Sequence, residues 1–121
     1  MQIMDINKVK KEILKRLLPI DPEKIILFGS YAYGNPDEHS DIDLYIVTKD
    51  EFMPENYEEK NIIYMQVSRR IRDLKENIPI DIVIHTKQMH QKFLELNSSF
   101  ARKIIKDGEK LYESSDGTRM A

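Results

Sequence analysis

The sequence predicts an α/β (or α+β) domain built around a small sheet. Short apolar runs of strand length alternate with segments of helical periodicity, the pattern that wraps helices around a sheet. The 121 residues suit one compact core, which buries roughly two-thirds of the surface the unfolded chain exposes. Hydrophobic residues at 40% and charged residues at 33% supply that core without favouring disorder. Two self-contained domains do not fit.

From Asp5 to Leu18, Ile6, Val9, Ile13 and Leu17 recur at helical spacing with Leu14 beside them, and Pro19 ends the helix. Lys8, Lys11 and Lys15 fall toward the other side, read as a solvated face rather than a site for an anionic partner. Lys24–Phe28 is a buried strand stopped by Gly29-Ser30. A short turn or helix covers Tyr31–Gly34, and Asn35-Pro36-Asp37 is turn chemistry. Asp41–Val47 is the next strand, with Ile42, Leu44 and Ile46 on one face and Asp41, Asp43 and Tyr45 on the other.

Thr48–Asn56 reads as a loop containing Pro54. Tyr57–Glu76 is expected to be one helix buried along Ile63, Val67, Ile71 and Leu74. Pro79–His85 is a third strand, where Ile80, Ile82 and Ile84 alternate with Asp81, Val83 and His85. Helices follow at Lys87–Leu96 and Ser98–Lys106, the second capped by Gly108. Lys110–Tyr112 adds a short strand. One domain over residues 1–113 and a flexible tail over Ser114–Ala121 complete the expectation.

Composition excludes several classes. Lys and Arg total 19 against 21 Asp and Glu, a formal net charge of -2, which argues against a general nucleic-acid binder. With no cysteine, disulfides, thiolate catalysis and Cys-based zinc sites are out. No apolar run approaches the ~20 residues of a membrane span, and Met1-Gln2-Ile3-Met4-Asp5 lacks the features of a signal peptide. A soluble, cytoplasmic protein is expected.

The chemistry gathers where strands meet polar residues. Asp41 and Asp43 are two apart in a strand, so both carboxylates leave one face and repel. A bound cation resolves that conflict, and oxygen-only ligands favour Mg²⁺ or Mn²⁺. A glycine after a strand, here Gly29, allows close approach of a phosphate, and Ser30 adds a donor. Asp81 brings a third carboxylate from another apolar strand. Each part alone is weak: Gly-Ser after a strand is commonly a turn, Asp41 alone can cap a turn, and one strand-edge aspartate can simply face water. The conjunction of Gly29-Ser30, ten residues, Asp41-x-Asp43 and Asp81 is what carries weight.

Leu27-Phe28-Gly29-Ser30-Tyr31-Ala32-Tyr33-Gly34 through Ser40-Asp41-Ile42-Asp43-Leu44 resembles the signature of the polymerase-β-like nucleotidyltransferase superfamily. The small size resembles its minimal nucleotidyltransferase (MNT) branch, whose members often pair with a HEPN-domain protein as antitoxin and toxin. The resemblance spans about Lys24–His85, with a weaker likeness in the C-terminal helices and Gly108-Glu109-Lys110-Leu111-Tyr112. It implies a small mixed β-sheet flanked by helices. It also implies that Gly29 and Ser30 hold the triphosphate of ATP and that Asp41 and Asp43 bind divalent metals. Asp81 completes the catalytic metal site, two Mg²⁺ ions in all, and helps activate the attacking hydroxyl. Many members carry an arginine where this chain has Tyr31 or Tyr33, which puts nucleotide affinity in question more than chemistry.

Other residues are not promoted. His85 shares a strand face with Asp81 but reads as a surface or supporting residue, and His39 and His90 have no metal-ligand partner at useful spacing. Arg69, Arg70 and Arg72 read as a solvated helix face, and the six methionines as core filler. The function expected is Mg²⁺-dependent transfer of AMP from ATP to a tyrosine of a HEPN toxin, with this chain as antitoxin. The alternatives are transfer to a small-molecule hydroxyl, as in aminoglycoside-modifying relatives, and a non-catalytic antitoxin acting by binding alone.

Overall fold

The computed structural model describes residues 5–37 and 39–114. Its elements in order are α1 (Ile6–Leu17), β1 (Lys24–Phe28), α2 (Ser30–Tyr33), β2 (Ile42–Val47), α3 (Tyr57–Ser68), α4 (Arg72–Lys75), β3 (Ile80–His85), α5 (Lys87–Leu96), α6 (Ser99–Asp107) and β4 (Glu109–Glu113). Their starts are written locally: the side chains of Asp5, Asn56, Thr86 and Ser98 each accept a backbone N–H at the head of α1, α3, α5 and α6. After α1, a single 3₁₀ turn, Leu18–Ile20, carries Pro19 and ends with Asp21 in the left-handed region.

The four strands form one mixed sheet in the order β3-β2-β1-β4. Strand β1 is antiparallel to both β2 and β4, whereas β2 and β3 run parallel. The α/β class and mixed sheet expected from the sequence are therefore what the chain adopts. On one face Ile25, Leu27, Ile42, Leu44, Ile46 and Ile80 pack against Val9, Ile13 and Leu17 of α1 and Val67 of α3. The opposite face is organised by register into three rows across β1, β2 and β3: Lys24–Val47–His85, Ile26–Tyr45–Val83 and Phe28–Asp43–Asp81. Helices α5 and α6 cover the second of these, bringing Phe93 and Ile104 onto Ile26 and Tyr45.

Three details depart from expectation. The helix expected over Tyr57–Glu76 is interrupted by a 3₁₀ turn at Arg69–Ile71. Tightening there keeps Ile71 fully buried while Arg70 Nε donates to the Arg16 carbonyl at 2.9 Å, and Arg16 also pairs with Asp73. Arg70 is thus a tether to α1, not merely a solvated side chain. Gly108 caps α6 through its N–H to the Ile104 carbonyl, but in an extended conformation, not the left-handed one. Glycine is required because a Cβ would lie 2.4 Å from that carbonyl oxygen and 2.7 Å from Ile26 Cγ2. Methionine is not core filler among the described residues: Met53 is exposed, Met65 and Met89 are half-buried, and the core is mostly Ile, Leu and Val with Tyr45 and Ala101.

Ser114, expected to begin the tail, is buried, and its amide donates to the Glu23 carbonyl at 2.8 Å. The rest of that tail, 115–121, lies outside the described residues. Among the described residues no helix is long and apolar enough to cross a membrane.

Candidate active site

The candidate residues meet at the end of the sheet where β1 finishes and β2 and β3 begin. Asp43 and Asp81 are register partners on adjacent parallel strands, so their side chains leave the same face with backbones about 4.8 Å apart. Asp41 precedes β2 by one residue, and its carboxyl shares a hydrogen bond with that of Asp81. Asp41 and Asp81 are exposed, while Asp43 is half-buried. The structure thus brings together all three aspartates singled out in the sequence.

The consequence is mutual repulsion. The Asp41 carboxyl is raised above its ordinary pKa, first by the hydrogen bond to Asp81, then by burial and the Asp81 charge. Asp43 is raised too, first by burial and then by the charges of Asp81 and Asp41. In both, the neighbouring carboxylates disfavour the charged form.

Gly29 explains how Asp43 fits. Its backbone (φ 81°, ψ -163°) lies in a region essentially reserved for glycine. A Cβ there would sit 2.2 Å from Asp43 Oδ2 and 3.1 Å from Cγ. The carboxylate therefore lies directly against the backbone at the head of α2, where the amides of Ser30 and Tyr31 have no acceptor within the helix. Positive backbone dipoles and an acidic side chain share one corner.

Among the described residues no three acidic or imidazole side chains close into a ready-made metal cage. The aspartates are gathered without being closed around a point. Their chemistry nonetheless fits a hard divalent cation: the donors are all oxygen, and a cation would relieve the repulsion that raises Asp41 and Asp43. Water would complete the coordination, as Mg²⁺ commonly requires. An apolar groove of about 300 Å³ lined by Pro54, Tyr57, Tyr64, Ile84 and Met89 lies elsewhere, beside the far end of β3, and contains none of the three aspartates.

Residues 7–117 match the family described as polymerase beta, nucleotidyltransferase. The chain belongs to the polymerase beta nucleotidyltransferase family. Two curated relatives come from Methanocaldococcus jannaschii. "Putative protein adenylyltransferase MJ0141" is 36% identical over 95 residues, 78% of this chain and 91% of the relative. "Putative protein adenylyltransferase MJ0604" is 30% identical over 107 residues, 88% and 90% of the two chains. Among solved structures, a toxin-antitoxin crystal structure with AMP-PNP superposes with a TM-score of 0.57 at 21% identity, covering 89% of this chain and 76% of that one. A mutant form of the toxin-antitoxin MntA-HpeT gives 0.53 at 20% identity, covering 94% and 77%. These structures share the fold. The chain is an enzyme of the nucleotidyltransferase class.

Sequence reasoning missed a second constellation on the same sheet face. Tyr45 is fully buried, and its hydroxyl meets His85 Nδ1 at 2.9 Å and His90 Nδ1 at 2.8 Å. His90 Nε2 lies 3.4 Å from Lys24 Nζ. A phenol has one proton to give, so donor accounting sets the order: Lys24 donates to His90, His90 to Tyr45, and Tyr45 to His85. Burial lowers the His90 pKa to about 4, aided by the Lys24 charge, and lowers His85 as well. Burial favours the neutral form of both rings, and this network lies at the end of the sheet away from the aspartates. Strand alternation, which places Tyr45 on the Asp43 face, was the available signal.

Proposed function

We propose that the chain is a Mg²⁺-dependent protein adenylyltransferase that moves AMP from ATP onto a tyrosine hydroxyl of a HEPN-domain toxin and so acts as its antitoxin. The observation carrying this reading is the Asp41–Asp43–Asp81 cluster packed against the Gly29 backbone, an acidic site bordered by open amides. The names of the two archaeal relatives, matched over nine-tenths of their length, support protein as the acceptor. The toxin-antitoxin assemblies among the solved structures support the partner class.

In this reading Gly29 and Ser30 receive the triphosphate. The Ser30 hydroxyl and the amides at the head of α2 donate to phosphate oxygens, and the absent Gly29 side chain leaves room for the Asp43 carboxylate at the same corner. Asp41 and Asp43 hold the divalent ion, which when bound neutralises phosphate charge and lowers the pKa of the acceptor hydroxyl. The acceptor oxygen bonds to the α-phosphorus as the bond from that phosphorus to the α,β-bridging oxygen breaks, and pyrophosphate leaves. Asp81, exposed and approaching from a different strand, takes the hydroxyl proton.

The test is intact mass measurement after incubating the chain with ATP, Mg²⁺ and a HEPN-domain toxin. The toxin should gain one or more AMP masses, dependent on Mg²⁺ and on a hydrolysable triphosphate. Turnover on a small hydroxyl compound with no protein adduct would transfer the reading to a small-molecule enzyme. Neutralisation of the toxin without any adduct would reduce the chain to a binding antitoxin.

A further inference from the structure

Helix α6 runs beside the Gly29–Ser30 turn and touches it at both ends. Phe100 packs edge-on against Phe28, the residue before Gly29, with ring centroids 5.7 Å apart. Three residues later on the same side of the helix, Lys103 Nζ lies over the Tyr33 ring, 4.9 Å from its centroid, at the last residue of α2. Two contacts therefore fix which face of α6 borders the turn.

Lys103 differs from two other cations of this face. Lys24 has Glu113 and His90 beside it, and the Arg102 guanidinium donates to the Asn97 carbonyl. Lys103, among the described residues, makes no ion pair and no hydrogen bond; its one recorded partner is an aromatic ring. A cation over a ring at a surface is held by roughly 0.5–1 kcal/mol, enough to bias its position but weak enough to be exchanged for an anion. The bias leaves an ammonium with no anionic partner on the helix that borders the Gly29–Ser30 turn.

We propose that Lys103 is a phosphate-binding residue of this site, held on Tyr33 in the free protein and moving to a non-bridging oxygen of the nucleoside triphosphate at the Gly29–Ser30 turn. The proposal rests on the nucleotide-binding reading above and adds to it a residue outside the Gly-Ser and Asp-x-Asp motifs. A four-carbon stem gives the ammonium the reach to change partners, and the charge matches a polyphosphate rather than a base or ribose. Tyr33 acts as the positioning residue.

Calorimetry with Mg²⁺ and four ligands (ATP, ADP, AMP and adenosine) tests this. Lys103→Gln should weaken ATP about tenfold, the scale of one charge-assisted hydrogen bond at a partly exposed site, and adenosine less than twofold. Lys103→Arg should recover most of the loss. Tyr33→Phe should bind ATP like the native protein, and Tyr33→Leu should fall between it and Lys103→Gln. Lys11→Gln, on a helix packed against the opposite sheet face, is the charge control and should match the native chain. If the native chain binds ATP with Mg²⁺ but Lys103→Gln binds it within twofold, the inference fails and the nucleotide reading stands. Equal losses for ATP and adenosine would also overturn it, by showing a change of shape and not of phosphate contact. If the native chain binds no nucleotide, both fall together.

Discussion

Replacing Gly29 by alanine separates two consequences of one methyl group. The backbone there has φ 81° and ψ -163°, and a residue bearing a Cβ is strained in that region by about 1–3 kcal/mol. For a chain of this size that should lower Tm on the order of 5–10 °C, measurable by thermal or urea unfolding. The steric consequence is local: the new Cβ would sit 2.2 Å from Asp43 Oδ2 and 3.1 Å from Asp43 Cγ, so the carboxylate must rotate away. Stability should therefore fall modestly while Mg²⁺-ATP affinity, which in our reading needs Asp43, falls at least tenfold. A double-mutant cycle isolates the second effect. In an Asp43→Ala background Gly29→Ala should still cost its backbone strain but should remove little further Mg²⁺-ATP affinity. Two results would refute the reasoning: native Mg²⁺-ATP affinity in Gly29→Ala, or the same fold-loss with and without Asp43.

Asp81→Asn should bind Mg²⁺-ATP within a few-fold of the native chain yet transfer roughly 10²-fold more slowly, the scale of a lost general base, read by single-turnover assay. Because Asp41 and Asp43 are raised in the fold, their contribution to stability is full below the ordinary carboxyl range and lost as pH rises through the raised values. Metal-free protein should therefore gain stability at pH 7 on Asp43→Asn, and Mg²⁺ should raise Tm of the native chain but not of that variant. His90 has the opposite sign: its folded pKa of about 4 lies below the ordinary 6.5, so its contribution is present above 6.5 and lost as pH falls toward 4. Tyr45→Phe should cost about 1–3 kcal/mol by stranding polar ring nitrogens, with Mg²⁺-ATP binding unchanged.

The sequence revealed most where local chemistry decides. Strands β1, β2 and β3 lie within a residue of expectation because alternating Ile, Leu and Val are punctuated by Gly29, Asn35-Pro36 and Pro79. The three aspartates were legible for the same reason: strand alternation settles which face a carboxylate leaves. The break after Ser68 was not, because the hydrophobic stripe runs on through Ile71 and Leu74. What tightens the chain is a contact to the Arg16 carbonyl, more than fifty positions away. The pairing of Lys103 with Tyr33 was hidden in the same way, since nothing local marks a lysine on α6 as neighbour to a tyrosine on α2.

One sheet face thus carries two environments a few residues apart, and their difference lies in what covers them. At Tyr45, Phe93 stacks at 5.0 Å and Ile104 packs alongside, so polar groups there must satisfy one another, and the Lys24–His90–Tyr45–His85 chain does so. At Asp43, one strand alternation earlier, the cover ends: Asp41 and Asp81 are exposed and their charges stay unsatisfied within the protein. A fold that neutralised the second cluster as it does the first would be more stable and would have no reason to bind a cation. The two ends should therefore respond to substitution in opposite ways. Removing a polar group from the covered end loses stability, whereas removing the Asp43 carboxylate from the open end gains it and loses the ligand.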